Sequence, residues 1–258
     1  MISRGSGGPF SFIITLVLVL VSLHGLGQKR VVQHYSDFWI GLNTEFRIAD
    51  RWSLLTEAEL KRKEFMAEPN AIFACVGVQY HISKGVNAHI AIGRQWTMDS
   101  DVTSLVVVGE TRAQVQVVFH QTVGRFKFRE RLRNEFRWLD RLPHDPSPGK
   151  EFHDRVRFLL GMECRIFDNK RLPSLIAYDE YLVETITGFS HPAFDQNRFF
   201  IGLRQPIATN LTAEAGYINV YASSGTVSIT EMHDVLKIGV NWSPDLRRHV
   251  NSRSPATN

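Results

Sequence analysis

From residue 37 onward the chain alternates between apolar and polar positions. In residues 37–48, Phe38, Ile40, Leu42, Thr44, Phe46 and Ile48 share one parity, and Asp37, Trp39, Gly41, Asn43, Glu45 and Arg47 share the other. A strand sends successive side chains to opposite faces, so this segment has one greasy side and one polar side. Residues 52–63 repeat the pattern, with Trp52, Leu54, Ala58 and Leu60 against Ser53, Glu57, Glu59, Lys61 and Lys63. So do residues 71–82, with Ile72, Ala74, Val76, Val78, Tyr80 and Ile82 against Cys75, Gly77, Gln79 and His81. Residues 86–96 set Val86, Ala88, Ile90, Ile92 and Trp96 against Asn87, His89, Gly93 and Gln95. Further segments lie near 105–119, 125–138, 152–166, 174–185, 196–207, 211–221 and 229–242. The expectation is an all-β chain of about twelve strands closed into an antiparallel transmembrane barrel with a polar, Arg/Glu-rich lumen.

Strand length separates this reading from a soluble sheet. The segments run roughly 10–15 residues, against about 5–6 in a soluble strand and about 9–11 in a tilted membrane strand. Aromatics gather at segment ends (Trp39, Trp52, Trp96, Trp138, Tyr217, Tyr221 and Trp242), as interfacial girdles require. A lipocalin-like barrel would invert the faces, with an apolar interior and a polar exterior. The links raise a difficulty. Short turns follow the odd segments (49–51, 83–85, 121–124, 208–210) and longer links follow the even ones (64–70, 97–104, 139–151, 186–195, 222–228). In an even-stranded barrel with both termini periplasmic, the short turns would face outward, the reverse of the usual arrangement. Either a strand near residues 29–35 is missing from the count, or the longer links are tall strand extensions.

The N-terminus changes the picture by naming a compartment. Arg4 is the only charged residue before Lys29, and an apolar stretch from Phe10 to Leu26 follows it. A basic start, an apolar run and the small-x-small end Gly25-Leu26-Gly27 make a secretory signal peptide, with cleavage expected between Gly27 and Gln28. The stretch is short for a spanning helix, which needs about 20 apolar residues. The domains expected are a signal peptide over 1–27, an outer-membrane barrel over 28–243 and a disordered tail over 244–258. Removing residues 1–27 takes away one Arg and no acid, so the net charge falls from +4 to +3. Charges of both signs are interleaved rather than collected in runs, which argues against a nucleic-acid partner. The partners implied are outer-membrane lipid, the barrel-assembly machinery during insertion, and a small solute or ion. Cys75 and Cys164 are the two cysteines; in an oxidising periplasm they either pair or stand apart as small wall residues. No metal-ligand spacing surrounds them, and no cofactor is implied.

The most informative stretch is 125–138. Its polar parity reads Lys127, Arg129, Arg131, Arg133, Glu135 and Arg137, opposite Phe126, Phe128, Leu132, Phe136 and Trp138, with Glu130 and Asn134 interrupting the apolar side. The next segment adds His153, Arg155, Arg157 and Glu163, and the preceding one Glu110, Arg112, Gln114 and Gln116. An Arg on the lipid face costs about 2–4 kcal/mol at the midplane, so these side chains belong in the lumen. There they can pair with acids such as Glu45, Glu57, Glu59, Glu180 and Glu214. A lumen packed with Arg–Glu bridges, and an arginine ladder drawing anions through a pore, both fit this pattern.

Tests for an enzyme find little. His120, His144, His153, His191 and His233 could serve as bases, but none stands in a His-x-Ser-Asn-Gly arrangement. Ser190-His191 precedes Pro192 and reads as a turn. No Gly-x-Ser-x-Gly, His-Glu-x-x-His or phosphate loop is present.

Several short signatures resemble an uncharacterised family of bacterial outer-membrane proteins, domain of unknown function 2490. They are Asp37-Phe-Trp-Ile-Gly41 with Arg51-Trp52 and Glu57, Glu110-Thr-Arg112, and the run from Arg129 through Arg131, Arg133 and Glu135 to Arg137. Asp179-Glu180, Phe194-Asp-Gln-Asn197-Arg198, Gly202, Gly216-Tyr217 and His233 complete the set, so the resemblance covers about residues 36–243. It implies an outer-membrane barrel and supplies no activity. Three readings follow. The first is a narrow, anion-preferring pore or solute-binding barrel lined by Glu110, Arg112, Arg129, Arg131, Arg133, Glu135, Arg137, Arg155, Arg157, Glu180 and Arg198. The second is a structural or accessory barrel with a salt-bridged, closed lumen. The third is an outer-membrane lipid hydrolase.

Overall fold

A computed structural model describes residues 31–101, 104–141, 149–185, 193–223 and 229–247. They form one closed sheet of eleven strands: β1 (Val31–Arg47), β2 (Trp52–Lys63), β3 (Glu68–Ser83), β4 (Val86–Asp101), β5 (Ser104–Val123), β6 (Phe126–Asp140), β7 (Lys150–Arg165), β8 (Ser174–Glu184), β9 (Ala193–Ala208), β10 (Leu211–Ser223) and β11 (Ile229–Trp242). The expected signal peptide and the tail beyond Arg247 lie outside the described residues.

The count is eleven among the described residues, not twelve, and the barrel is mixed rather than purely antiparallel. Residues 31–36 supply no separate strand. They continue β1 without a break, and Val31 already stands opposite Ile229. Every consecutive pair is antiparallel, so with an odd count the first and last strands run the same way. The seam β1–β11 is therefore parallel, from Val31↔Ile229 to Thr44↔Trp242. The start of β1 and the end of β11 sit at opposite ends of the barrel, which removes the difficulty posed by the links. The C-terminal end of β11 shares its rim with the turns at 84–85, 124–125 and 209–210, here the short-turn end. Gly124 closes one of those turns at φ 59°, a conformation that a side chain resists. At the long-link end, the expected link 97–104 is a tall hairpin, paired up to Asp101↔Ser104.

Parity fixes which side chains leave the barrel. Ile40, Leu42, Ile90, Ile92, Leu132, Ile201 and Leu236 all face out and are more than a third exposed. Outward aromatics cap both ends: Phe46 on Trp242 at 5.4 Å and Trp52 on Tyr80 at 4.8 Å at one, Trp138 on Phe152 at 5.6 Å at the other. Trp39 does not join them. It shares the inward parity of Asp37 and Gly41, and it is buried beneath the Lys61 ammonium, 4.1 Å from its ring centroid. Several outward polar groups are partnered. Asn134 donates to Asp154 at 2.9 Å and Thr185 to the same carboxylate at 2.8 Å, while Arg94 reaches across Gly109 to Asp140 at 2.6 Å.

The inner wall carries an apolar arc. Trp39, Ile176, Phe200, Ile218, Val220 and Val235 pack together on β1 and β8–β11. Phe200 stacks on Tyr178 at 4.8 Å, worth about 0.5–1.5 kcal/mol beyond its buried area. Its ring lies over Gly202 and Gly216; a Cβ at either would come within 2.6 Å of Phe200 Cζ. Past Trp242 the chain stays ordered for one more turn, where Leu246 N–H donates to Arg47 O at 2.8 Å and Arg247 pairs with Asp50 at 2.8 Å.

Candidate functional site: the charged lumen

On β5, β6 and β7 the inward parity places like charges face to face: Arg133 opposite Arg157 and Arg112 opposite Arg137. Such pairs repel unless acids stand between them. Three do. Glu135, wholly buried, accepts from Arg155 Nε at 2.9 Å and Nη2 at 2.7 Å and from Arg157 Nη1 at 2.7 Å, with Arg133 at 3.6 Å and Arg112 at 3.8 Å. Glu180 takes a two-pronged pair from Arg157 at 2.9 and 2.8 Å, a bond from Arg131, and Arg198 at 3.9 Å. Glu110 receives Arg112 Nε at 2.8 Å and a fork from Arg137 at 2.9 and 2.8 Å. The forked geometry matches guanidinium to carboxylate twice over, which fixes both side chains. Glu184 and Asp195 tie the periphery, to Arg137 at 2.6 Å and to Arg155 at 3.0 Å.

Ten of the eleven residues singled out from the sequence thus join one continuous network, and all eleven face inward. Arg129 is the one outside it. It projects into a cavity of about 670 Å³ lined by the short-turn half of the barrel. The lining ends at Arg131, Arg133, Arg157, Glu180 and Arg198; Glu110, Arg112, Glu135, Arg137 and Arg155 lie beyond it and fill the other half. Around the cavity Lys127 pairs with Glu163 at 3.0 Å, Arg204 with Glu163 at 2.5 Å and Glu214 at 2.6 Å, and Lys61 with Glu59 at 3.2 Å.

The structure also joins residues that the sequence did not bring together. Ser53 Oγ lies 2.8 Å from His81 Nε2, and His81 Nδ1 lies 3.0 Å from Asn87 Oδ1, on three successive strands. These spacings match a nucleophile relay, but the surroundings do not. Ser53 is wholly buried and its hydroxyl donates to Glu45 at 2.9 Å. With that proton committed, Nε2 serves Oγ as a donor, the reverse of the base that a nucleophile needs, and the burial of Ser53 leaves it no open side. The relay holds Glu45 and His81 in place. At the seam, His233 lies 3.0 Å from Asp37 and stacks on Tyr35 at 4.9 Å. Shared inward parity was the one signal for each of these groups; which residues meet depends on register. Cys75 lines the lumen, whereas Cys164 has the outward parity of Cys164↔Phe126; both are free. Ser190, His191 and His144 lie outside the described residues.

Residues 36–229 match the model of a family described as a protein of unknown function, DUF2490. The match stops where β11 begins, so His233 and the seam strand lie past it. No curated protein and no solved structure matches the chain.

Proposed function

The chain belongs to the DUF2490 family, and we propose that it is an outer-membrane barrel whose lumen is blocked by ion pairs across one half and forms a solute-binding cavity in the other. The observation that carries this is the placement of the two faces. A closed sheet with Ile, Leu, Val and aromatic side chains outward exposes far more contiguous apolar surface than a water-soluble protein tolerates, while its charges are spent inside. Lipid is the surrounding that fits such an exterior, and aromatic pairs at both ends fit its two interfaces. The apolar N-terminal stretch supports export, and the barrel-assembly machinery is then the partner for insertion. With short turns on the periplasmic side, as is usual, the cavity opens to the periplasm.

A blocked lumen is favoured over an open pore because the buried Glu135 and Glu180 gather arginines from β5, β6, β7 and β9, and Arg133 reaches over the lumen toward Glu57 on β2 at 4.0 Å, which gives the cavity a floor. The narrow anion-preferring pore keeps one argument, the excess of arginines over acids along β6. Single-channel recording of the detergent-refolded protein separates them. Silence in planar bilayers, with the protein fractionating with outer membranes and migrating anomalously in unheated gels, is the expected result. Steady conductance would overturn the blocked lumen, and recovery from the soluble periplasmic fraction would overturn the membrane reading.

A further inference from the structure

Arg129 is the odd cation of the lumen. It stands on β6 between Lys127 and Arg131, facing His120 on β5 and Gly161 on β7. Lys127 has Glu163, Arg131 has Glu180, and Arg133 has Glu135 and Glu57, the last at 4.0 Å. Among the described residues Arg129 has no ion pair and no hydrogen bond. The acids across from it are already held: Glu214 by Arg204 and by Asn241 at 2.9 Å, and Glu180 by Arg157 and Arg131. A guanidinium carries five donors in a planar fork that cannot lose its charge. Unlike Arg131 and Arg133, which are buried, Arg129 is exposed to the cavity, so its donors are free for an acceptor that enters.

The space around it is built to admit one. Gly161 gives up the side chain that would stand beside Arg129, and the cavity of about 670 Å³ lies within the range of small-molecule sites, roughly 300–1,000 Å³. Eight basic and six acidic side chains line it, so the surplus is positive. Two further donors nearby are buried without partners, Arg131 Nε and His89 Nε2. Lys237 has only a long bond to Tyr178, at 3.4 Å.

We propose that the cavity binds a small oxyanion, a phosphate or carboxylate group, with Arg129 as its principal binding residue. The fork of Arg129 takes two oxygens of the anion, as guanidinium does with either group. Lys127 at the rim draws the anion in and His120 bounds its seat. This deepens the solute-binding reading and rests on the cavity having a floor, but it does not require a particular membrane.

The test is thermal unfolding and isothermal titration of the full chain, refolded in detergent, with inorganic phosphate and separately with succinate. Ionic strength is held constant with chloride. Arg129→Gln is the variant, because a residue with no ion pair can be neutralised without opening the Glu135 and Glu180 nodes. Its unfolding midpoint without added anion should equal that of the native chain. Expected is a rise in the native midpoint with phosphate, succinate or both, and an affinity about tenfold or more weaker in the variant, the size of one lost charged hydrogen bond or more. A preference for phosphate assigns a tetrahedral seat; a preference for succinate assigns a planar carboxylate seat. No shift with either anion, an equal shift from chloride alone, or unchanged affinity in the variant overturns the proposal. Conductance in bilayers would sink the cavity's floor on its own evidence, separately from the titration.

Discussion

The inner wall solves the same burial problem in two ways. Along β5–β7 it buries guanidinium and carboxylate groups, and along β8–β11 with β1 it buries Phe200, Ile218, Val220 and Val235. Both arcs obey one inward parity. They differ in what holds the wall rigid. In the charged arc Glu110, Glu135 and Glu180 are each shared by two or more arginines, so each member depends on the others; Glu135 alone meets four. In the apolar arc, fit replaces charge: Phe200 is seated because Gly202 and Gly216 carry no side chain. A network of shared charges fails when one partner is lost, whereas a packed wall fails when something is added.

That contrast orders the expected effects. The largest is Glu135→Gln, which leaves Arg155 and Arg157 facing Arg133 and Arg112 with no acid between them. Removing one partner of a buried pair costs about 3–5 kcal/mol, and the urea midpoint followed by Trp fluorescence should fall accordingly. A loss no greater than that of a surface change would show that water, not Glu135, compensates these arginines. Next is Gly202→Ala. Its new methyl would meet Phe200 Cζ at 2.6 Å and Gly216 Cα at 2.8 Å, and overpacking of this kind costs about 1–3 kcal/mol. Combining it with Phe200→Leu should recover part of the loss; no recovery would mean that the strand backbones, not the ring, set the limit. Smaller still is Lys127→Ala at the rim, where the half-exposed pair with Glu163 contributes at most about 1 kcal/mol. If it cost as much as Glu135→Gln, the charged arc would extend to the short-turn end. The smallest effect is at Ser53: a fluorophosphonate ester should label neither the native chain nor Ser53→Ala. Labelling of the native chain alone would turn the buried relay into a catalytic one.

Much of this could be read from alternation alone, because parity is local. It placed all eleven named charged residues on the inner face, and it had already put Trp39 there, although position near a strand end suggested a girdle. The expected count of about twelve exceeded by one the alternating segments themselves, each of which corresponds to a strand, and the extra strand suspected near 29–35 is the start of a seventeen-residue β1. Partners were out of reach for a different reason. Arg155 meets Asp195 and Arg137 meets Glu184 across strands 40 and 47 residues away, and such meetings depend on the stagger of the whole barrel. Arg94 faces outward against the rule for arginine, and only the pairing that brings Gly109 and Asp140 beside it explains how.

The parallel seam has a consequence for handling the molecule. In an even-stranded barrel a two-residue linker can join the old ends, and new ends can be cut at any turn. Here a linker from Arg247 back to Val31 would have to climb the full height of β1, along the apolar outside or through the occupied interior. Circular permutants that join Arg247 to Val31 should therefore be costly to make, because those two residues stand at opposite ends of the barrel.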